Sequence, residues 1–161
     1  MKHWRLWAVY LIVLFSQALT AQAEVAVPAL TQYVIDLTAT LDASQIDTLN
    51  SRLTAFEASK GSQIAVLIVP STEQETIEQF SVRVFEEWKL GREKLDDGVL
   101  LVIAKEDRKF KIEVGYGLEG ALTDATSKRI IAEVMLPHFK VGSFFVGIDA
   151  GLDAIENVVK G

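Results

Sequence analysis

The chain has 161 residues, 50% of them hydrophobic and 24% charged, with no cysteine and a formal net charge of −6. A length of this order suits one domain that buries about two thirds of its unfolded surface, held by its core alone. The absence of cysteine excludes disulfides, thiol catalysis and a lipid-modified cysteine, and the acidic balance argues against nucleic acid, which needs a basic footprint.

Lys2, His3 and Arg5 open the chain, followed by the apolar run Leu6–Phe15, a polar break at Ser16 and Gln17, and the small-x-small triplet Ala21-Gln22-Ala23. This order predicts a cleavable secretory signal over residues 1–23, because the apolar run falls short of the roughly 20 residues that span a bilayer. Its removal (161 less 23) leaves 138 residues with 14 basic and 22 acidic side chains, net −8, in the periplasm or outside the cell. A membrane-anchored form is the weaker alternative.

Residues 24–32, with Pro28 and no clear period, read as a surface lead-in, and residues 33–161 as a single domain. Tyr33–Leu37 has the character of a short strand. Asp42 with Gln45 three positions on forms a capping box for a helix whose inward face is Ile46, Leu49, Leu53 and Phe56, stopped at Gly61. Ile64–Val69 is apolar on both faces, the mark of a central parallel strand. Thr76 and Gln79 start a second helix with the stripe Ile77, Phe80, Val84 and Trp88, and the charged loop Leu90–Asp97 follows. Val99–Ala104 is a second buried strand. A five-residue polar turn, Lys105–Lys109, leads into the returning strand Phe110–Val114.

Beyond the glycine-rich bend Gly115–Gly120, Asp124 caps a third helix carrying Ile130, Ile131, Val134 and Met135, which Pro137 should end. Ser143 opens the last helix, with Ile148, Leu152, Ile155 and Val159 inward. The order β-α-β-α-β-β-α-α predicts an α/β fold, a three-layer α/β/α sandwich with a mixed central sheet. The second helix supplies the right-handed crossover between the buried strands.

The hairpin carries the functional expectation. It sets Asp96 and Asp97 beside the glycine bend, so that Glu119 and Asp124 come to the same rim of the sheet. Carboxylates beside glycine backbone are ligands for a hard divalent cation, and Ca²⁺ takes six to eight oxygens in flexible geometry. The plainer reading is that Asp97-Gly98 is a turn pair, Asp124 a helix cap and Glu119 a solvated side chain. Gly115–Gly120 formally matches G-x-G-x-x-G, but it follows a hairpin strand and does not open directly into a helix, so no dinucleotide is expected. His138 is the only histidine after the signal, which removes a three-histidine zinc site. Arg108 pairs most simply with Asp107 or Glu106, Trp88 reads as core, and Tyr116 lines either a cleft or a packing surface.

Trp88–Gly91, Asp96–Val102, Asp107–Lys109, Ile112–Gly120 and Asp124, taken in this order, closely resemble the TPM domain family. The Val34-Ile35-Asp36 strand, Pro137-His138-Phe139 and Gly147-Ile148 fit as well. The resemblance spans about residues 33–160. It implies a three-layer domain of exported or membrane-associated proteins. Thylakoid relatives are linked to photosystem II repair, some relatives are described as acid phosphatases, and several bind Ca²⁺ through acidic loop residues. Carried across, those acids fall on Asp96, Asp97, Glu119 and Asp124. Lys140 and Ser143 stand where the family often has Arg and an Asp or Asn, which weakens that segment as an anion or metal site.

Two functions follow. One is a Ca²⁺-binding accessory domain, monomeric, that acts through a protein partner at the membrane in the maintenance or assembly of envelope complexes. The other is a slow metal-assisted acid phosphatase, which would need a positive group for the developing charge. Only Arg92, Lys94 and Lys128 offer one, and no Ser or His is well placed to attack. A ligand-free interaction scaffold is the third alternative.

Overall fold

Ile64–Val69 and Val99–Ala104 present no polar side chain on either face, and the molecule is organised around them. A computed structural model describes residues 24–161; the signal expected over residues 1–23 lies outside the described residues. The elements are β1 (Val34–Asp36), α1 (Ala43–Lys60), β2 (Gln63–Val69), α2 (Ile77–Trp88), β3 (Gly98–Ala104), β4 (Lys109–Val114), a 3₁₀ turn (Tyr116–Leu118), α3 (124–139) and α4 (Phe144–Lys160). Their sheet order is β1-β2-β3-β4. β1 and β2 are parallel, as are β2 and β3, with Gln63 opposite Gly98, while β3 and β4 are antiparallel.

Alternation along the central strands splits the core in two. Ile64, Val66, Ile68, Val99, Leu101 and Ile103 pack under α1, α3 and α4. Ala65, Leu67, Val69, Leu100, Val102 and Ala104 pack under α2. The expected three layers are present, and both capping boxes form, Asp42 with Gln45 and Thr76 with Gln79. Gly61 ends α1 in the left-handed region at φ 80°.

Several local expectations are corrected. The lead-in lies at the surface but is fastened there: Val25, Val27 and Leu30 pack on the α2 side of the core, and Trp88 Nε1 donates to the Pro28 carbonyl at 2.7 Å. The hairpin loop is four residues, because Lys109 already pairs with Ala104. Asp107 accepts from Ser71 Oγ and Thr72 N rather than pairing with Arg108. Thr123, not Asp124, caps α3.

Pro137 does not end α3. The chain passes through a π turn at Ile130–Met135, in which Leu136 N donates to the Ile131 carbonyl, and continues to Phe139. The wider turn relaxes the ring-to-carbonyl clash that stops an α-helix, and proline has no N–H to leave unpaired. Ser143 precedes α4 without a side-chain capping bond. Instead α4 is tied to α1 by Arg52, which donates to Glu156 and Asp149, each at 2.7 Å, and to Asp153. No helix among the described residues is long and apolar enough to cross a membrane.

Leu101 lies at the centre of the larger half-core with no exposed surface. Leu101→Ala should cost about 3 kcal/mol in urea unfolding, from lost burial and the cavity left behind; a loss below about 1 kcal/mol would show that this core is not close-packed.

Candidate functional site: an acidic cleft at the sheet rim

The loop from Lys89 to Asp97 returns the chain from α2 to β3, and Asp97 holds it closed. The Asp97 carboxylate, 4% exposed, accepts from Arg92 N at 2.8 Å, from Arg92 Nε at 2.9 Å and from Ser62 Oγ at 3.3 Å, with a further bond from the second guanidinium nitrogen. Burial pushes this carboxyl up, but the Arg92 hydrogen bonds and charge outweigh it and hold the group below the ordinary range.

With the loop closed, Asp96 is held at φ 47°, a conformation an aspartate tolerates better than most residues. Its carbonyl accepts from Gly117 N and its carboxylate from Tyr116 N, both at 2.9 Å. The bend after β4 is thereby fastened to the loop before β3. Gly117 is required by this approach, since a Cβ there would overlap the Leu95 carbonyl.

Between α2, this loop and the bend lies a cleft of about 690 Å³. Val82, Phe85, Leu90 and Val114 give it apolar lining, and its charged side chains are Glu86, Glu93, Asp96, Glu113 and Glu119 against Lys89 and Arg92. Tyr116 stands at its edge, 81% exposed.

Of the four acids expected at one rim, Asp96 and Glu119 line this cleft. Asp97 does not face it as a free ligand, because its oxygens are taken by Arg92 and Ser62. Asp124 is turned to Lys128 Nζ at 2.7 Å and to Lys111 Nζ at 3.7 Å; the Lys128 hydrogen bond lowers its pKa. Hairpin topology brings the main chain of these residues to the rim, and which carboxylate finds an internal donor is decided by side chains elsewhere in the loop and on α3. Among the described residues, no three acidic or histidine side chains are grouped closely enough to hold a metal ion as they stand.

The same pairings consume Arg92 and Lys128, two of the three cations expected nearby. Glu86, Glu93 and Glu113 were missed. Glu113 was legible, since alternation in β4 puts it opposite Ile112. Its half-buried carboxyl is pushed up chiefly by burial, opposed by Lys111 and reinforced by Glu119, Asp124 and Glu78.

Comparison with known proteins is consistent with this architecture. The family model described as the TPM domain matches residues 34–158. The N-terminal domain of a P. gingivalis protein is 36% identical over 81% of this chain and 83% of its own, with a TM-score of 0.74. BA42 from the psychrophilic bacterium Bizionia argentinensis is 22% identical, covering 77% of this chain and 84% of its own, at a TM-score of 0.65. The N-terminal domain of the Corynebacterium glutamicum protein cg2496 is 15% identical, covers 84% of each chain and has a TM-score of 0.62. The last two share the fold alone. No curated protein sequence matches the chain. The molecule is thus an α/β domain with a rim cleft built on a fastened loop pair. It belongs to the TPM domain family.

Asp97 provides a pH test of the loop closure. Its folded pKa is depressed, so its contribution is fully present above the unfolded value of about 3.9 and is lost as pH falls through the folded value. Asp97→Asn should lower stability by about 1–2 kcal/mol at pH 7. Its melting temperature should also fall less than that of the parent between pH 5 and pH 3. Parallel curves over that interval would remove Asp97 from the closure.

Proposed function

We propose that the chain is a non-enzymatic accessory domain working outside the cytoplasm. It binds a positively charged ligand in the acidic cleft and acts through a protein partner in the maintenance or assembly of envelope or membrane complexes. The observation that carries this reading is an excess of acidic side chains, five lining the cleft against Lys89 and the Asp97-paired Arg92. Glu86, Glu93, Asp96 and Glu119 form no ion pair among the described residues. Glu113 beside them resists ionisation. A raised carboxyl with like-charged neighbours is relieved by a cation or a proton.

Ca²⁺ is the ligand the family resemblance implies, and the donor set is of the right hardness. Asp96 and Glu119 supply its carboxylates in this reading, Asp96 through the oxygen not bonded to Tyr116 N and Glu119 as an exposed side chain that moves onto the ion, with main-chain carbonyls and water completing the shell. Asp97 is reserved for the fold. Val82 and Tyr116, exposed next to the acids, supply apolar contact for a partner. The phosphatase reading has less support: no serine, threonine or histidine lines the cleft among the described residues, and Arg92 is already neutralised.

A thermal melt in rising Ca²⁺ tests the proposal. Binding to the folded state alone stabilises by about 2.7 kcal/mol at a hundredfold excess over Kd, which is a rise of several degrees. Asp96→Asn combined with Glu119→Gln should abolish the rise while leaving the metal-free melt within about 1 kcal/mol of the parent. A flat titration of the parent protein, with millimolar ion and no shift, sinks the Ca²⁺ assignment.

A further inference from the structure

Residues directly opposite in an antiparallel pair share a face of the sheet. Glu113 and Lys111 stand opposite Leu100 and Val102, which pack under α2, so β4 turns charged side chains toward that helix. Such groups keep their water. Strand and helix therefore do not close over one another, and the space between them is the cleft of about 690 Å³. That volume lies within the roughly 300–1,000 Å³ of sites that take an organic group.

The groups that line it are accessible. The α2 side brings Val82, 42% exposed, the half-buried Phe85 and the exposed Glu86, and the β4 side brings the half-buried Glu113 and Val114. Tyr116 stands open at the edge. Apolar surface beside carboxylates suits a cation on a carbon stem, because a long basic side chain lays its stem on apolar groups and keeps its head at polar ones. An open aromatic ring adds a face for the same cation. The charge is also spread, since among the described residues no three acids are grouped closely enough to hold a metal as they stand. Dispersed carboxylates fit a wide, planar cation with several donors better than a point charge. Of the two bases in the lining, Arg92 is held by Asp97 and only Lys89 remains against the five acids. Lys111, outside the lining, lies 3.9 Å from Glu113 and is shared with Asp124.

Resting on the reading of this cleft as a site for positive charge, we propose that it receives an arginine side chain of the protein partner. The stem lies over Val82 and Phe85, and the guanidinium meets the carboxylates of Glu86 and Glu113 beside the ring of Tyr116. Five N–H donors in a rigid fork can serve carboxylates from both sides of the cleft at once, and the same plane stacks on an aromatic ring. The Glu113 carboxyl, pushed up by burial and by like charges, gains from a cation brought to it. Asp96 and Glu119 are left for the ion, so the two ligands draw on different carboxylates.

The probe is an end-blocked peptide with arginine between flanking alanines, titrated into the protein in calcium-free buffer and followed by amide chemical shift. Saturable shifts should map to residues 82–86 and 113–116. A peptide with citrulline for arginine, neutral and of the same shape, should bind about tenfold more weakly. Tyr116→Ala should weaken the arginine peptide about threefold, and Tyr116→Phe, which keeps the ring, should bind it as the parent does. Glu86→Gln combined with Glu113→Gln should weaken it about tenfold. Absence of shifts at these residues with millimolar peptide overturns the arginine assignment whether or not Ca²⁺ raises the melting temperature, and equal binding of the citrulline peptide does the same. Saturable arginine binding beside a flat Ca²⁺ titration overturns the ion alone and leaves the arginine in place.

Discussion

The buried carboxylate of Asp97 is the constraint on which the rim depends. Without it the loop from Lys89 to Asp97 would be a charged, mobile connection between a helix and a strand. With it, two oxygens gather a main-chain donor, a guanidinium and a hydroxyl, and the loop has one shape. Asp96 is then held at positive φ, a local cost that such surroundings can sustain. Its carbonyl and carboxylate become the two acceptors that fasten Tyr116 and Gly117. The loop-and-bend side of the cleft is backbone placed by this chain of bonds, and Val82, Phe85 and Glu86 of α2 line the side facing it.

That arrangement rests on a core that does not participate in it. The central strands are sealed on both faces, and the Arg52 cluster fastens α1 to α4 on the face opposite α2. Burial within these layers is worth about 2–5 kcal/mol per large residue. Substitutions among exposed acids usually fall within about 0.5 kcal/mol. The rim is therefore free to carry concentrated negative charge without threatening the fold.

Most of the fold was legible because its signals are local. Capping boxes at Asp42 and Thr76, the stop at Gly61 and the two doubly apolar strands each act over a few residues. What failed was settled by distant contacts or by geometry that sequence period does not encode. Pro137 breaks an α-helix but not a π turn, and nothing in its neighbours announces the wider register. The lead-in has no periodicity, yet the Trp88 indole and the underside of α2 give Val25, Val27 and Leu30 a place to pack. At the rim, hairpin topology brought Asp96 and Glu119 to one cleft. The fate of Asp97 turned on Arg92 five residues earlier, a pairing that the charged loop made available but did not dictate.

Two carboxylates a short distance apart on this rim shift in opposite directions, and the contrast separates support from site. Asp97 is buried and its pKa is depressed, so ionisation stabilises the native loop. Glu113 is partly buried and its pKa is raised, so above its unfolded value of about 4.3 ionisation works against the fold. Lys111 sits 3.9 Å away, too distant for a hydrogen-bonded pair, and further acids surround it. A chain selected for stability alone would place a neutral glutamine there at little steric cost. An acid whose charge is opposed by burial and by like neighbours is a group that the cation proposed for the cleft would relieve. Glu113 lines both the cleft and a second cavity of about 330 Å³ on the side of β4 nearer α3.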